Sequence, residues 1–329
     1  MLLTAIVWLL RSETAIRASL GDGLGEGTLR GLGDAAAEAG FAAGGPLSLK
    51  WTILAGTWVY INLVFNQSSA YIGGEVKRAS RLQLWSMPIA AIVSIAVLLL
   101  MLLLGDRAIG LERIGQLSAS QGLLFTQIAA FGSGSTLIAF LIMFCFIFGS
   151  YTWLPGQITN ASRNFLAYSI DGLMPKALGR VHPRHHTPVN ALLLVGAGSI
   201  AALAAFVWVP DFATLVGIFG FILGFMLVSI SAIVFPYRLR DVFEASPINA
   251  RIGGVPWMSV IGALSLLALA IMAWAFLTDP SAGLNGKPGL IWMNIGIFFS
   301  GLVIYAVAKA VQRSRGVDIS KRFAEIPIE

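Results

Sequence analysis

An all-α polytopic membrane protein is the fold class that this sequence predicts, and three observations predict it. Charged residues make up 12% of the 329-residue chain and hydrophobic ones 57%. A soluble domain carries roughly 25% charged residues. Uncharged apolar runs recur at lengths near the roughly 20 residues that a helix needs to cross a bilayer. The basic residues fall in alternate loops between those runs, as they do in a chain threaded back and forth through a membrane.

Taken in order, Met1–Leu10 (MLLTAIVWLL) is apolar but too short to span. No basic segment precedes it and no small-x-small cleavage site follows. It therefore reads as the tail of a longer helix rather than a signal peptide. Residues 11–50 read as an extracellular Gly/Ala-rich loop with room for a short helix near 31–42. Its glycine runs contain no G-x-G-x-x-G and follow no strand, so they do not read as a nucleotide site. A transmembrane domain occupies 51–311, with seven spans expected at about 51–74, 84–105, 135–168, 188–209, 212–237, 256–278 and 289–309. Residues 106–133 read as a loop with one or two interfacial helices. Pro155 should kink the long third span. Residues 312–329 read as a basic cytoplasmic tail.

One crossing per run puts Lys77, Arg78, Arg81, Arg163, Lys176, Arg180, Arg184, Arg238, Arg240, Arg251 and the basic residues from Lys309 to Arg322 on one side. That side holds 15 of the 22 Lys and Arg residues, and the positive-inside rule makes it cytoplasmic. A missed or extra span would scramble this alternation. The net charge of +6 is thereby explained as loop bias, and no nucleic-acid partner is expected. The lone Cys145 sits in an apolar run. It excludes an internal disulfide framework and a Cys-ligated zinc site, and reads as a small buried hydrophobe.

The stretch Leu49–Arg81 (LKWTILAGTWVYINLVFNQSSAYIGGEVKRASR) differs from the other runs. Residues 51–74 are uncharged, yet Asn62, Asn66, Gln67, Ser68 and Ser69 sit where hydrocarbon is deepest, and Gly73-Gly74 follows. Amides at that depth are costly unless they face protein, water or a ligand. Two readings stand on these residues alone. One is a broken helix whose freed backbone groups bind substrate near the midplane. The other is a continuous helix whose amides bond to neighbouring helices.

The stretch Asn160–Ala191 (NASRNFLAYSIDGLMPKALGRVHPRHHTPVNA) is a helix end, a Gly-Leu-Met-Pro stop and a basic loop into the next span. His182, His185 and His186 form H-x-x-H-H. No Cys or carboxylate pair completes a metal set, so the loop reads as solvated and basic. Arg163 and Asp171 are either a cytoplasmic gate pair or charges that bond to other loops. No Ser/His/Asp or Cys/His pairing stands out. Asn66-Gln67-Ser68 and Asn160-Ala161-Ser162 match a glycosylation sequon, but mid-membrane and cytoplasmic positions make both matches chance.

This same stretch resembles the loop between the eighth and ninth helices of amino acid permeases of the amino acid–polyamine–organocation (APC) superfamily. There A-S-R-x-x-x-A-x-x-x-D-G-x-x-P precedes V-H-P-x-x-x-T-P-x-x-A. Ser162-Arg163, Ala167, Asp171-Gly172, Pro175, Val181-His182-Pro183, Thr187-Pro188 and Ala191 match in register. Gly74-Glu75-Val76-Lys77 resembles the close of the family's sixth helix, and 212–237 with Tyr237-Arg238 its tenth. The resemblance covers roughly 50–310.

The resemblance implies twelve helices, ten of them in two inverted five-helix repeats, with substrate bound between broken helices one and six. The seven spans then map to helices six through twelve. That is the second half of a five-plus-five inverted-repeat transporter fold plus two extra C-terminal helices. Met1–Leu10 maps to the end of the fifth, and an N-terminally truncated gene is expected. The implied activity is secondary active transport of amino acids or related amines across the plasma membrane by alternating access. Asn62, Phe65, Asn66, Gln67, Ser68, Ser69, Tyr151 and Thr152 are the implied substrate contacts. Phe65 stands where the family usually has a helix-breaking Gly, and Gln67 where it often has Glu, which removes one proton carrier. The implied partners are a small-molecule amino acid, a coupling proton or exchanged substrate, and membrane lipid. No cofactor is expected. Two rival classes are a non-transporting fragment of such a permease and a polytopic membrane enzyme, for which only the loop at 163–186 offers ionisable groups.

Overall fold

A computed structural model describes residues 1–41, 48–75, 79–208, 216–246, 248–279 and 284–319. Val76, Lys77 and Arg78, the start of the span expected at 212, and Lys321 and Arg322 of the tail lie outside the described residues. The elements are α1 (Leu2–Leu10), α2 (Glu13–Leu24), α3 (Glu26–Arg30), α4 (Leu32–Glu38) and α5 (Leu49–Leu63), then a 3₁₀ helix (Val64–Glu75). There follow α6 (Ala79–Ile109), α7 (Leu111–Gln121), α8 (Phe125–Gly132), α9 (Thr136–Ile170), α10 (Val189–Trp208), α11 (Val216–Arg238) and α12 (Arg240–Ala245). A two-residue hairpin, β1 (Arg251–Ile252) and β2 (Val255–Pro256), precedes α13 (Trp257–Thr278) and α14 (Pro288–Ser314). Gly253 and Gly254 make its tight turn, both at positive φ (57° and 82°).

The protein is all-α and polytopic. Among the described residues, α6, α9, α10, α11, α13 and α14 are long and apolar enough to cross a membrane. Their faces expose Trp85, Ile92, Leu103, Leu193, Leu264 and Leu302, as side chains meeting lipid tails would. The seventh expected span, 51–74, is no single helix: α5 stops at Leu63 and 3₁₀ geometry follows. Pro155 lies inside α9 without ending it. Cys145 corrects its expectation, because it lies exposed on α9 rather than buried.

The chain divides into two compact units. The first comprises Met1–Leu47 and Glu75–Gln157. The loop expected over 11–50 is largely helical here. Ile16, Leu20 and Leu24 recur at i, i+4, i+8 and pack with Trp8, Leu32, Ala108, Ile109, Leu117 and Ile128 in one core. Burying that stripe outweighs the low helix propensity of Gly21 and Gly23. Ser12 caps α2 by accepting from the Ala15 amide at 3.3 Å. Arg11 donates to the Gly132 carbonyl at 2.7 Å and to Ser19 Oγ at 3.0 Å, which places a cation on the last turn of α8.

The second unit comprises Ser48–Gly74 and Ile158–Glu329. Its centre is the α11–α13 pair. Gly262 lets the backbones approach: a Cβ there would stand 2.9 Å from the Ser229 carbonyl oxygen and 3.1 Å from Ile233 Cγ1. Ser259 Oγ donates across the pair to the Ile233 carbonyl at 3.0 Å. Small residues and interhelical hydrogen bonds are what hold helices together where lipid is as apolar as leucine. Phe219, Ile222, Phe276 and Leu284 form the adjoining core, with Tyr60 and Ile61 of α5 packed against it. A buried hydrogen bond ties α5 to the end of α13. Thr57 Oγ1 shares its one hydrogen between Asp279 Oδ2 at 3.0 Å and the Leu54 carbonyl at 2.7 Å, with Thr57 and Asp279 both buried.

Gly262→Val should destabilise the protein by about 1–3 kcal/mol, the usual cost of overpacking a tight contact. Gly296→Ala on α14, where a Cβ would meet nothing within 4 Å, should be near neutral. Thermal unfolding midpoints in detergent would check both. Thr57→Val removes a donor to a buried carboxylate and should cost about 1.5–3 kcal/mol. Thr57→Ser should retain most of that, so the two midpoints should separate.

Candidate functional site

The candidate site is built where α5 gives way to 3₁₀ geometry. α5 runs through Leu63 with helical geometry, and Val64 continues at φ −60°, ψ −21°. Residues Val64–Glu75 take 3₁₀ geometry on either side of a kink at Ile72 (φ −109°, ψ 17°). Short 3₁₀ pieces that follow an α-helix are where a chain changes pitch and direction. Ser68 Oγ donates to the Phe65 carbonyl three residues back at 2.6 Å. Further on, Gly73-Gly74 lowers the cost of departing from the helix.

The expected residues differ in their surroundings. Val64 is buried, and Phe65 is half-buried with its ring edge-on to Phe221 of α11 at 5.5 Å and 80°. Phe65 therefore anchors the segment on α11. Asn62 is exposed, and its Nδ2 donates to the Trp58 carbonyl at 2.7 Å. Ser68 and Ser69 are half-buried. Asn66 Nδ2 and Gln67 Nε2 are buried donors with no acceptor among the described residues. Buried polar atoms are almost always paired, so each orphan calls for an explanation.

Tyr60 joins them. Its hydroxyl is likewise buried without a partner among the described residues, while its ring packs edge-on to Phe276 at 6.1 Å. Three buried donors without acceptors thus fall within eight consecutive residues. Sequence reasoning missed Tyr60, although a phenol within a span, one turn before the polar run, was the available signal. It also missed the Thr57–Asp279 bond, whose partners are 222 residues apart.

Tyr151 and Thr152 are exposed on α9 and belong to the first unit, whereas 62–69 belong to the second. Thr152 Oγ1 donates to its own helix, at the Gly149 carbonyl. Arg163 and Asp171 are both half-buried towards the end of α9. Eight positions of one helix separate them by about 12 Å of rise, too far for a direct ion pair.

The turn after α9 is a Schellman cap. Gly172 takes φ 82°, its amide donates to the Ser169 carbonyl, and the Leu173 amide donates to that of Tyr168. Gln312 of α14 reaches the Gly172 carbonyl at 3.0 Å. His182 organises the following loop. Its Nδ1 accepts from the Arg184 and His185 amides, and its own amide donates to the Thr187 carbonyl at 2.9 Å. Among the described residues no cluster of His, Cys, Asp or Glu has the grouping of a metal site.

Comparison with known proteins bears on this arrangement. The family model described as amino acid permease matches residues 1–303. The branched-chain amino acid permease BcaP of Bacillus subtilis (strain 168) is 30% identical over 174 residues, which are 53% of this chain and 33% of that protein. The methylthioribose transporter of the same organism is 25% identical over 252 residues, 76% of this chain and 50% of that protein. The chain thus spans between a third and a half of the length of these relatives. No solved structure matches it significantly. That match covers nearly the whole chain and accords with the six helices that, among the described residues, are long and apolar enough to cross a membrane. The chain belongs to the amino acid permease family, within the APC superfamily.

Proposed function

We propose that the protein carries out secondary active transport of amino acids or related small molecules by alternating access, with the 3₁₀ segment Val64–Glu75 as part of the substrate site. One observation carries this: Tyr60, Asn66 and Gln67 present buried donors without acceptors beside a break in a membrane crossing. Donors without acceptors suit a ligand rich in lone pairs, such as the carboxylate of an amino acid. Groups freed by a broken helix are tolerated at that depth only where they line a cavity or meet protein. Asn62, Phe65, Ser68 and Ser69 complete the proposed contacts, Phe65 by anchoring the segment.

The bias of the basic residues towards alternate loops supports a cytoplasmic C-terminus in the plasma-membrane protein proposed here. Arg163 and Asp171 act at the inner gate through partners on other elements rather than through each other. A proton or an exchanged substrate supplies the driving force, and counterflow without a pH gradient would distinguish exchange. The relatives' names offer two solutes to try first, a branched-chain amino acid and methylthioribose. The donor set favours the amino acid, because it carries a carboxylate.

Uptake of radiolabelled branched-chain amino acids into proteoliposomes is the test. Asn66→Leu and Gln67→Leu should each lower uptake efficiency roughly 10- to 100-fold, the weight of a hydrogen bond to a charged group. Tyr60→Phe should act in the same direction. If Asn66→Leu and Gln67→Leu both leave uptake and affinity unchanged, the site is wrong.

A further inference from the structure

We infer that the cleft between the turn after α9 and the last turns of α14 is a binding site for an anionic glycerophospholipid of the cytoplasmic leaflet. The cleft measures about 510 Å³ and lies wholly within the second unit. Its length carries an apolar stripe of Val303, Val307 and Val311, spaced four apart on α14 and exposed at 64%, 57% and 43%. At one end stand two exposed cations, Lys176 of the turn and Arg315 just past α14. The floor at that end is closed by Gln312, which donates to the Gly172 carbonyl.

The dimensions and charge select the occupant. From Val303 to Arg315 a helix rises about 18 Å, close to one leaflet of a hydrocarbon core roughly 30 Å thick with its headgroup layer. A soluble anion would use the cations and leave the valine stripe uncovered. A neutral lipid would cover the stripe and leave Lys176 and Arg315 without a counter-charge. A lipid with a net negative headgroup covers both, its acyl chain along the valines and its phosphate between the cations. Basic pockets beside spanning helices on the cytoplasmic side recognise such headgroups. No acidic residue occurs from Pro288 to Val317. Among the described residues the neighbouring carboxylates are Asp171, one residue before the turn, and Asp318, which lines an adjacent groove with Lys309 and Arg313. Neither lines this cleft.

The inference rests on the cytoplasmic orientation proposed above but not on transport. Its test is native mass spectrometry of the 329-residue chain in detergent, titrated with equal amounts of phosphatidylglycerol and phosphatidylcholine. A micelle has no sidedness, so an error in orientation would leave this binding intact. Phosphatidylglycerol should be retained in excess. Lys176→Gln and Arg315→Gln should each reduce that excess by roughly fivefold, the weight of one cation near a membrane surface. Val307→Trp, which fills the stripe, should reduce retention as well, and Arg180→Gln outside the cleft should not. Equal retention of both lipids by the unmodified protein would overturn the site. So would an undiminished excess in the Lys176→Gln, Arg315→Gln double variant, or displacement of the lipid by millimolar inorganic phosphate.

Discussion

Hydrocarbon offers no hydrogen-bonding partner, so every backbone amide and carbonyl that crosses it must be satisfied within the chain. Among the described residues, six long helices meet that constraint in the ordinary way. The stretch after Leu63 departs from α-helical pitch, and much of the second unit bears on it. Phe65 is pinned to Phe221 of α11, and the ring of Tyr60 lies against Phe276 of α13. Thr57 is bonded to the buried Asp279 where α13 ends. The preceding helix is thus held firmly, while the segment that follows keeps its donors open. Fixed support around unspent polar groups is what a preorganised binding site requires.

The motif that gives the chain its family resemblance has a physical account of its own. Gly172 adopts a positive φ that closes the Schellman turn, and that favours glycine. Gly179 approaches Ser169 so closely that a Cβ would stand 2.7 Å from its hydroxyl oxygen. His182 and Thr187 are joined backbone to backbone, and Asn190 ties the next helix to the Ala177 carbonyl at 2.8 Å. These residues shape the turn between α9 and α10, and the same turn presents Lys176 to the cleft beside α14. A motif that builds a turn identifies a fold, and it says little about the solute.

Legibility varied with the range of the signal. Hydropathy located six helices within a few residues, because lipid exposure is a local property of each run. It also marked 51–74 as abnormal through its mid-span amides. The segment 11–41 was misread because its glycines argue against helix, whereas its i, i+4 apolar stripe counts only once a partner surface exists to bury it. Cys145 was misjudged for a related reason. An apolar neighbourhood in sequence does not distinguish a helix face turned to lipid from one turned to protein.

The sequence by itself determined the class and the family, since each depends on composition, run length or a contiguous motif. It left open whether the amides at 66 and 67 pair with neighbouring helices or stay unspent. Only the tertiary structure decided that. It changed the helix pitch at Val64, turned Phe65 onto α11 and left Tyr60, Asn66 and Gln67 with buried donors that have no acceptor among the described residues. The reason is that hydrogen-bond satisfaction is a property of pairs. The pair that steadies this crossing, Thr57 and Asp279, joins residues that no local pattern connects.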